Sequence, residues 1–266
     1  MGKLTGKVAV VTGAARGLGR AYALKLAKLG ADVGIIDIDL KSYEQFEGEF
    51  IGEQYETVVD ELKELGVKAF GAEADISKKD QVQEAFSEIT KHLGEVDILV
   101  ANAGGGTGPL EGNKASEIKP NELQIVLERN LFGTIHSVEA VAAGMKKKGS
   151  GKIVTVTSVT GLQAQPGGNY SHYAATKAAI VNYTKYLAQD LGPHNITVNA
   201  IAPGYIGTGR LNEQFKKAGV ETYSDQTALK RLGTPEDCAN VIEFLTTNQS
   251  DYVTGTVIDV TGGLLR

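Results

Sequence analysis

Short apolar runs and longer amphipathic stretches alternate along nearly the whole chain. Lys7–Thr12 (KVAVVT) is β-branched and apolar, as a strand buried on both faces of a parallel sheet should be. Asp32–Asp37, Val67–Ala74, Val96–Ala101, Lys152–Ser158, Ile196–Ala202 and Thr256–Val260 repeat the pattern. Between them the period lengthens to that of helices. One helix runs to Leu29 and stops at Gly30, and another covers Ile51–Leu65 before Gly66. Ser77 reads as the N-cap of a third. Pro120 opens a long helix toward Lys148, and His172–Leu191 and Pro235–Thr247 supply two more. Repeated βα units predict an α/β fold, a Rossmann-like doubly wound parallel sheet of about seven strands with helices on both faces.

Two segments break the rhythm. Lys41–Glu56 carries Glu44, Glu47, Glu49, Glu53 and Glu56 and has no clear apolar stripe until after position 50, which predicts a surface insertion over 41–56. Gly207–Thr227 follows a strand end without clean periodicity, where lids are often placed, and is expected to cover a substrate.

Composition narrows this picture without redirecting it. At 266 residues the chain is long enough to bury roughly three quarters of its unfolded surface, and no composition break divides it, so 1–266 is expected to be a single domain. A net charge of −5 without a basic stripe argues against nucleic acid. Lys146–Lys148 suits the negative end of a helix dipole. The lone cysteine, Cys238, makes no internal disulfide and fits a reducing cytosol, so a cytoplasmic location is expected. No signal-peptide core or membrane-spanning run is evident. The four histidines make no spaced metal set.

The chemistry concentrates at Tyr173-Ala174-Ala175-Thr176-Lys177, because residues four apart on a helix share a face. A free phenol has a pKa of about 10, and lowering it to near 7 takes roughly 4 kcal/mol. An ammonium about 5 Å away supplies roughly 3 kcal/mol at an effective dielectric near 20. Ser158, at a strand's C-terminal end, is positioned to hold a substrate oxygen and lies outside any Gly-x-Ser-x-Gly elbow. Thr155 and Thr157 alternate to the opposite face, and Tyr170 has no lysine four residues on. Asn130 is polar among Val126, Leu127 and Leu131, so it either serves the site through a water or caps a local bulge.

Gly13-x-x-x-Gly17-x-Gly19 follows a strand and opens a helix, the context in which glycines let a backbone approach a pyrophosphate at a helix N-terminus. Asp37 ends the second strand, where a carboxylate accepts from the adenosine ribose hydroxyls and repels a 2′-phosphate. Ile38 follows it rather than a phosphate-pairing arginine, which favours NAD over NADP, although Arg16 in the glycine loop points the other way. Asp75 either accepts from the adenine amine or supports the turn before Ser77. Asn102 either contacts the cofactor or ties neighbouring strands. His172 is either a helix-start residue or part of the substrate pocket.

Together these residues resemble the short-chain dehydrogenase/reductase family in its single-domain form, over about Lys7 to Gly263. Thr12-Gly13-x-x-x-Gly17-x-Gly19 resembles the family's cofactor loop, and Asn102-Ala103-Gly104 its Asn-Ala-Gly, with Ala101 in place of a frequent Asn. Asn130, Ser158, Tyr173 and Lys177 match its catalytic tetrad. Pro203-Gly204 and Thr208 match the segment that meets the nicotinamide carboxamide. The resemblance implies cofactor contacts at Gly13, Arg16, Gly17, Leu18, Gly19, Asp37, Ile38, Asp75, Ile76, Asn102, Ala103, Gly104, Tyr173, Lys177, Pro203, Gly204, Ile206 and Thr208, no metal, and a homotetramer. It implies NAD-dependent interconversion of a secondary alcohol and a ketone, with Tyr173 as general acid/base. The alternatives are an NADPH-dependent 3-oxoacyl thioester reductase and, more remotely, a non-catalytic NAD-binding protein. The interval from Ser158 to Tyr173 is longer than is common, so Gln163–Gly168 is expected to bulge into or over the pocket. The pocket itself is expected from Gln163–Tyr170, Tyr205–Thr227 and Gly105–Leu110, all loops.

Overall fold

The β-branched runs pair with one another in the computed structural model, which describes residues 2–46, 49, 51–109 and 112–264. Glu47 and Leu110, named above, lie outside the described residues. The strands are β1 (Val8–Thr12), β2 (Asp32–Asp37), β3 (Ala69–Glu73), β4 (Ile98–Ala101), β5 (Gly151–Val156), β6 (Ile196–Pro203) and β7 (Val257–Val260). Among the described residues they form one sheet in the order β3-β2-β1-β4-β5-β6-β7, with every pairing parallel. The order reverses beside β1, between β1 and β4, and ligands of open α/β sheets bind at the carboxyl ends of strands at such a crevice.

The period-two alternation of each strand sorts its side chains between two cores. Ala9 and Val11 of β1 and Val154 and Val156 of β5 enter one cluster, with Tyr22, Leu26, Ile242 and Leu245. Val10 and Ile153 enter the other, with Phe86, Ile89, Met145 and Leu191. The first is covered by α1 (Gly17–Lys28), α2 (Val58–Glu64) and α9 (Pro235–Thr246), the second by α3 (Lys79–Leu93), α5 (Gly133–Lys148) and α6 (Ser171–Leu191).

Three expectations need correction. The helix expected over Ile51–Leu65 begins only at Val58, because the Asp60 carboxylate accepts from Thr57 N at 3.0 Å and caps it there, after Gly52 has turned the backbone to a φ of +98°. Ser77 is not an N-cap: its hydroxyl donates to Asp75 Oδ1 at 2.8 Å, and α3 starts beyond Lys78. The single helix expected from Pro120 to Lys148 is α4 (Pro120–Val126), a π-helical turn over Leu127–Phe132, then α5.

The acidic insertion is anchored as well as exposed. Ser42, Glu49 and Ile51 are all buried, and Ile51 joins the first core, with Tyr43 and Tyr55 packed against it. The segment after β6 is ordered into α7 (Gly209–Ala218) and α8 (Val220–Ser224). Among the described residues no helix is long and apolar enough to cross a membrane, and no cluster of His, Cys, Asp and Glu has the make-up of a metal site.

Candidate active site

Helix α6 begins where Tyr170 adopts a left-handed backbone (φ 60°), with its N–H held by Asn113 Oδ1 at 2.9 Å. From there Tyr173 and Lys177 fall one turn apart on the same face. Tyr173 is half-buried, whereas Lys177 is buried and donates from Nζ to Val156 O at 2.8 Å, at the end of β5. The ammonium lies 5.7 Å from the centre of the Tyr173 ring. Burial pulls the Lys177 pKa down to about 8, which leaves it mostly cationic at neutral pH. A cation therefore faces the phenol, as the four-residue spacing requires.

The neighbouring hydroxyls separate as alternation predicts. Thr157 is buried and donates to Lys177 O at 2.7 Å, and Thr155 pairs with Thr184 at 2.7 Å. Ser158 is half-buried at the strand end, with its oxygen accepting from Thr160 N at 3.3 Å and Oγ1 at 3.1 Å.

Asn130 is fully buried inside the π-helical turn, so the bulge accounts for its odd polarity. Its Oδ1 accepts from Gly105 N at 2.8 Å and its Nδ2 donates to Thr176 Oγ1 at 2.9 Å, which in turn donates to Tyr173 O at 2.8 Å. The amide thus pins the loop after β4 to the part of α6 that carries Tyr173. A side chain at Gly104 would place its Cβ 2.6 Å from Asn130 Oδ1, so this approach needs glycine.

The glycine loop is built against the end of β4. Asn102 Nδ2 donates to Thr12 O and Gly13 O, each at 3.0 Å, and Thr12 Oγ1 accepts from Asn102 N and Ala103 N. These bonds favour the strand-tying role of Asn102. A Cβ on Gly19 would sit 1.9 Å from Gly13 O, and one on Gly13 2.8 Å from Ala103 Cα, so both close approaches depend on glycine. Thr208, beyond the end of β6, reaches the loop, its Cγ2 being 3.8 Å from the Cβ position of Gly17.

Asp37 sits on the rim, accepting from Ala15 N at 2.9 Å and Asp39 N at 3.5 Å. Burial raises its pKa above the ordinary carboxylate range despite these N–H groups and the charge of Arg16. Beside it Ile38 is 68% exposed, an unusual position for a large aliphatic residue. Arg16 lies over the Phe46 ring at 4.4 Å. Pro203 and Gly204 close β6, with Gly204 N donating to Val260 O.

Five predicted residues lie elsewhere than in an open pocket. Leu18 and Ile206 pack with the first core, and Ile76 is buried beneath Gly133. Asp75 supports its turn through Ser77 N at 2.9 Å. His172 is buried and bonded to Thr107 O at 3.1 Å, tying down the loop after β4. Residues 164–168 lie on the surface; Tyr170, 5.4 Å from the Tyr173 ring, is what packs beside the site. Sequence reasoning missed Glu49 and Phe46. The only signal was the density of acidic residues, with no period to say which one turns inward.

The loop fits a dinucleotide. Gly13 and Gly19 let the loop fold tightly against Ala103 and itself, the Cβ position of Gly17 has no atom nearer than 3.7 Å, and the N–H of Gly17 at the helix start already binds an anion, the Glu49 carboxylate, at 2.8 Å. A family model described as enoyl-(acyl carrier protein) reductase matches residues 13–265. The chain is 52% identical to a cyclohexanol dehydrogenase of Rhodococcus sp. strain TK6, over 98% of this chain and 97% of that one. It is 36% identical to a 3-oxoacyl-(acyl-carrier-protein) reductase of Staphylococcus epidermidis, over 97% and 98% of the two chains. Among solved structures, the NAD-bound 3-oxoacyl-(acyl-carrier-protein) reductase of Brucella melitensis superimposes with a TM-score of 0.83 at 35% identity, covering 98% of this chain and 92% of that one. The chain belongs to the short-chain dehydrogenase/reductase family and is an oxidoreductase of that family.

Proposed function

We propose that the protein is an NAD-dependent dehydrogenase interconverting a secondary alcohol and a ketone, with an alicyclic alcohol as the first substrate to test. The observation that carries this reading is the buried Lys177 ammonium 5.7 Å over the Tyr173 ring, at the strand ends that also carry Ser158 and the glycine loop. When bound, the nicotinamide supplies the hydride acceptor or donor. In the oxidative direction Tyr173 takes the hydroxyl proton while Lys177 stabilises the phenolate. Ser158 Oγ orients the reacting oxygen. Asn130 holds the main chain of Gly105 and, through Thr176, that of Tyr173.

Asp37 and Ile38 would hold the adenosine, with Asp37 accepting from the ribose hydroxyls. Gly13, Arg16, Gly17 and Gly19, with the Leu18 main chain, would hold the pyrophosphate. Asn102–Gly104, Pro203, Gly204, Thr208 and the main chain of Ile206 would flank the nicotinamide. A partly desolvated carboxylate at Asp37 gains from two hydroxyl donors and repels a 2′-phosphate, which supports NAD over NADP. The segment 207–227 is read as the substrate lid. It leaves the sheet beside the tetrad and carries Phe215 and Tyr223, which pack with Tyr205. With Tyr170 beside Tyr173, these aromatic groups suit an apolar ring better than a charged substrate. The 52% identity to a cyclohexanol dehydrogenase supports the same class.

A second reading, an NADPH-dependent 3-oxoacyl thioester reductase, draws on Arg16 for the cofactor and, for the substrate alone, on the reductases at lower identity, one of which holds NAD. A homotetramer is also proposed. Ala175 and Ala178 of α6 are exposed, so packing on the sheet does not account for them, and adjacent α4 and the turn after it expose Ile125 and Phe132.

The test is Tyr173→Phe with cyclohexanol and NAD, followed by NADH absorbance. Turnover should fall by at least about 10²–10⁴-fold, while NADH still binds. Wild-type rates in this variant would remove the phenol from the mechanism.

A further inference from the structure

Glu49 comes from the insertion after β2, yet its carboxylate reaches the mouth of the glycine loop. One oxygen accepts from Gly17 N, at the start of α1, at 2.8 Å; the other accepts from Gly209 N, at the start of α7, at 2.6 Å. Both helices have at least ten residues, so both N-termini carry substantial positive partial charge. The residue is only 7% exposed. Thr208 borders the same space, and a Cβ on Gly209 would lie 2.5 Å from Glu49 Cγ and 2.8 Å from Phe46 Cβ, so the glycine makes room for the contact. Ser42 and Ile51, buried on either side along the chain, anchor the segment, and Phe46 lies under Arg16.

A carboxylate bonded to helix N–H groups at a Gly-rich loop occupies the kind of position a phosphate takes. Two anions cannot share it. We propose that Glu49 is an internal competitor of the dinucleotide's phosphates, held in their position in the ligand-free protein and expelled when NAD(H) binds. This rests on the dinucleotide reading given above. It makes Glu49 a determinant of cofactor affinity that trades stability of the free enzyme against occupancy of the bound one. The release of its two charge-assisted hydrogen bonds is part of the cost of binding.

The experiment is Glu49→Gln, with NADH binding measured by fluorescence titration and thermal unfolding measured with and without NADH. The variant should bind NADH about tenfold more tightly and melt at a lower temperature when free. Glu49→Ala, which adds no new donor, should move both quantities in the same directions. A merely structural role would lower free-state stability and weaken NADH binding together, and either that result or an unchanged Kd overturns the proposal. If neither wild type nor variant binds NADH or NADPH, the dinucleotide reading itself fails, and inorganic pyrophosphate then decides the matter. Tighter pyrophosphate binding by Glu49→Gln sustains competition at this loop, and equal or weaker binding ends it.

Discussion

The proposed chemistry requires Lys177 and the fold opposes its charge, and the opposition can be measured. Its pKa falls from 10.5 to about 8 because burial penalises the ammonium. At about 1.4 kcal/mol per unit, that is about 3 kcal/mol of lost stability at neutral pH. The sign follows from proton binding. The unfolded lysine keeps its proton up to 10.5 and the folded one releases it near 8, so between these values the unfolded chain holds more protons and stability rises with pH. Below pH 8 the full cost is present. Lys177→Met removes the charge but leaves Val156 O without its Nζ partner, which costs about 1–3 kcal/mol. The net expectation at pH 7 is a variant up to about 2 kcal/mol more stable, or several degrees in Tm at about 2–4 °C per kcal/mol, and without dehydrogenase activity. As pH rises from 8 to 10.5 the wild type recovers its deficit, so the two Tm curves should converge and cross. Differential scanning fluorimetry of both proteins across pH 7–10.5 reads this directly. A Tm difference that does not change with pH would refute the reasoning, because it would mean that the buried amine does not titrate in this range.

Two further outcomes test the cofactor and assembly readings. Asp37→Ala removes a repulsion of about 4 kcal/mol at 4 Å before screening, so the kcat/KM ratio for NAD over NADP should fall by about 100-fold; a native preference for NADPH in steady-state assays would overturn the NAD assignment. Light scattering should give four copies of the chain, and Ala178→Arg, which adds charge to the exposed small-residue face of α6, should yield smaller species with the fold intact by circular dichroism; a monomeric wild type would refute the tetramer.

What the sequence made legible follows from how local each signal is. The strands were readable to within one or two residues because a strand buried on both faces is apolar along most of its length, as Val8–Val11 and Ile98–Ala101 are. Tyr173 and Lys177 were readable because one helical turn brings them together without help from the rest of the chain. Asn130 announced itself as an amide among apolar neighbours, but its partners, Gly105 and Thr176, are 25 and 46 residues away, so periodicity was silent on whether it served a water or a bulge. The start of α2 failed for the opposite reason: a local cap at Thr57–Asp60 outweighed an apolar pattern that continues upstream. Ser77 failed because Asp75, two residues earlier, took its hydroxyl first. Glu49 lay furthest out of reach. It was one of several glutamates in a segment without period, and its second partner, Gly209, is 160 residues away.

That last separation explains how the parts of the site depend on one another. The donors that favour an anion, Gly17 N and Gly209 N, are set by the glycine loop and by the segment after β6, both of which strand ends specify closely. Whatever anion is at hand satisfies them, and in the free chain the insertion delivers one. The site's power to attract phosphate and its capture of Glu49 are therefore the same electrostatic property, and a substitution that weakens one weakens the other. Cofactor affinity can be raised independently only by changing the competitor, because changing the cradle acts on both occupants at once.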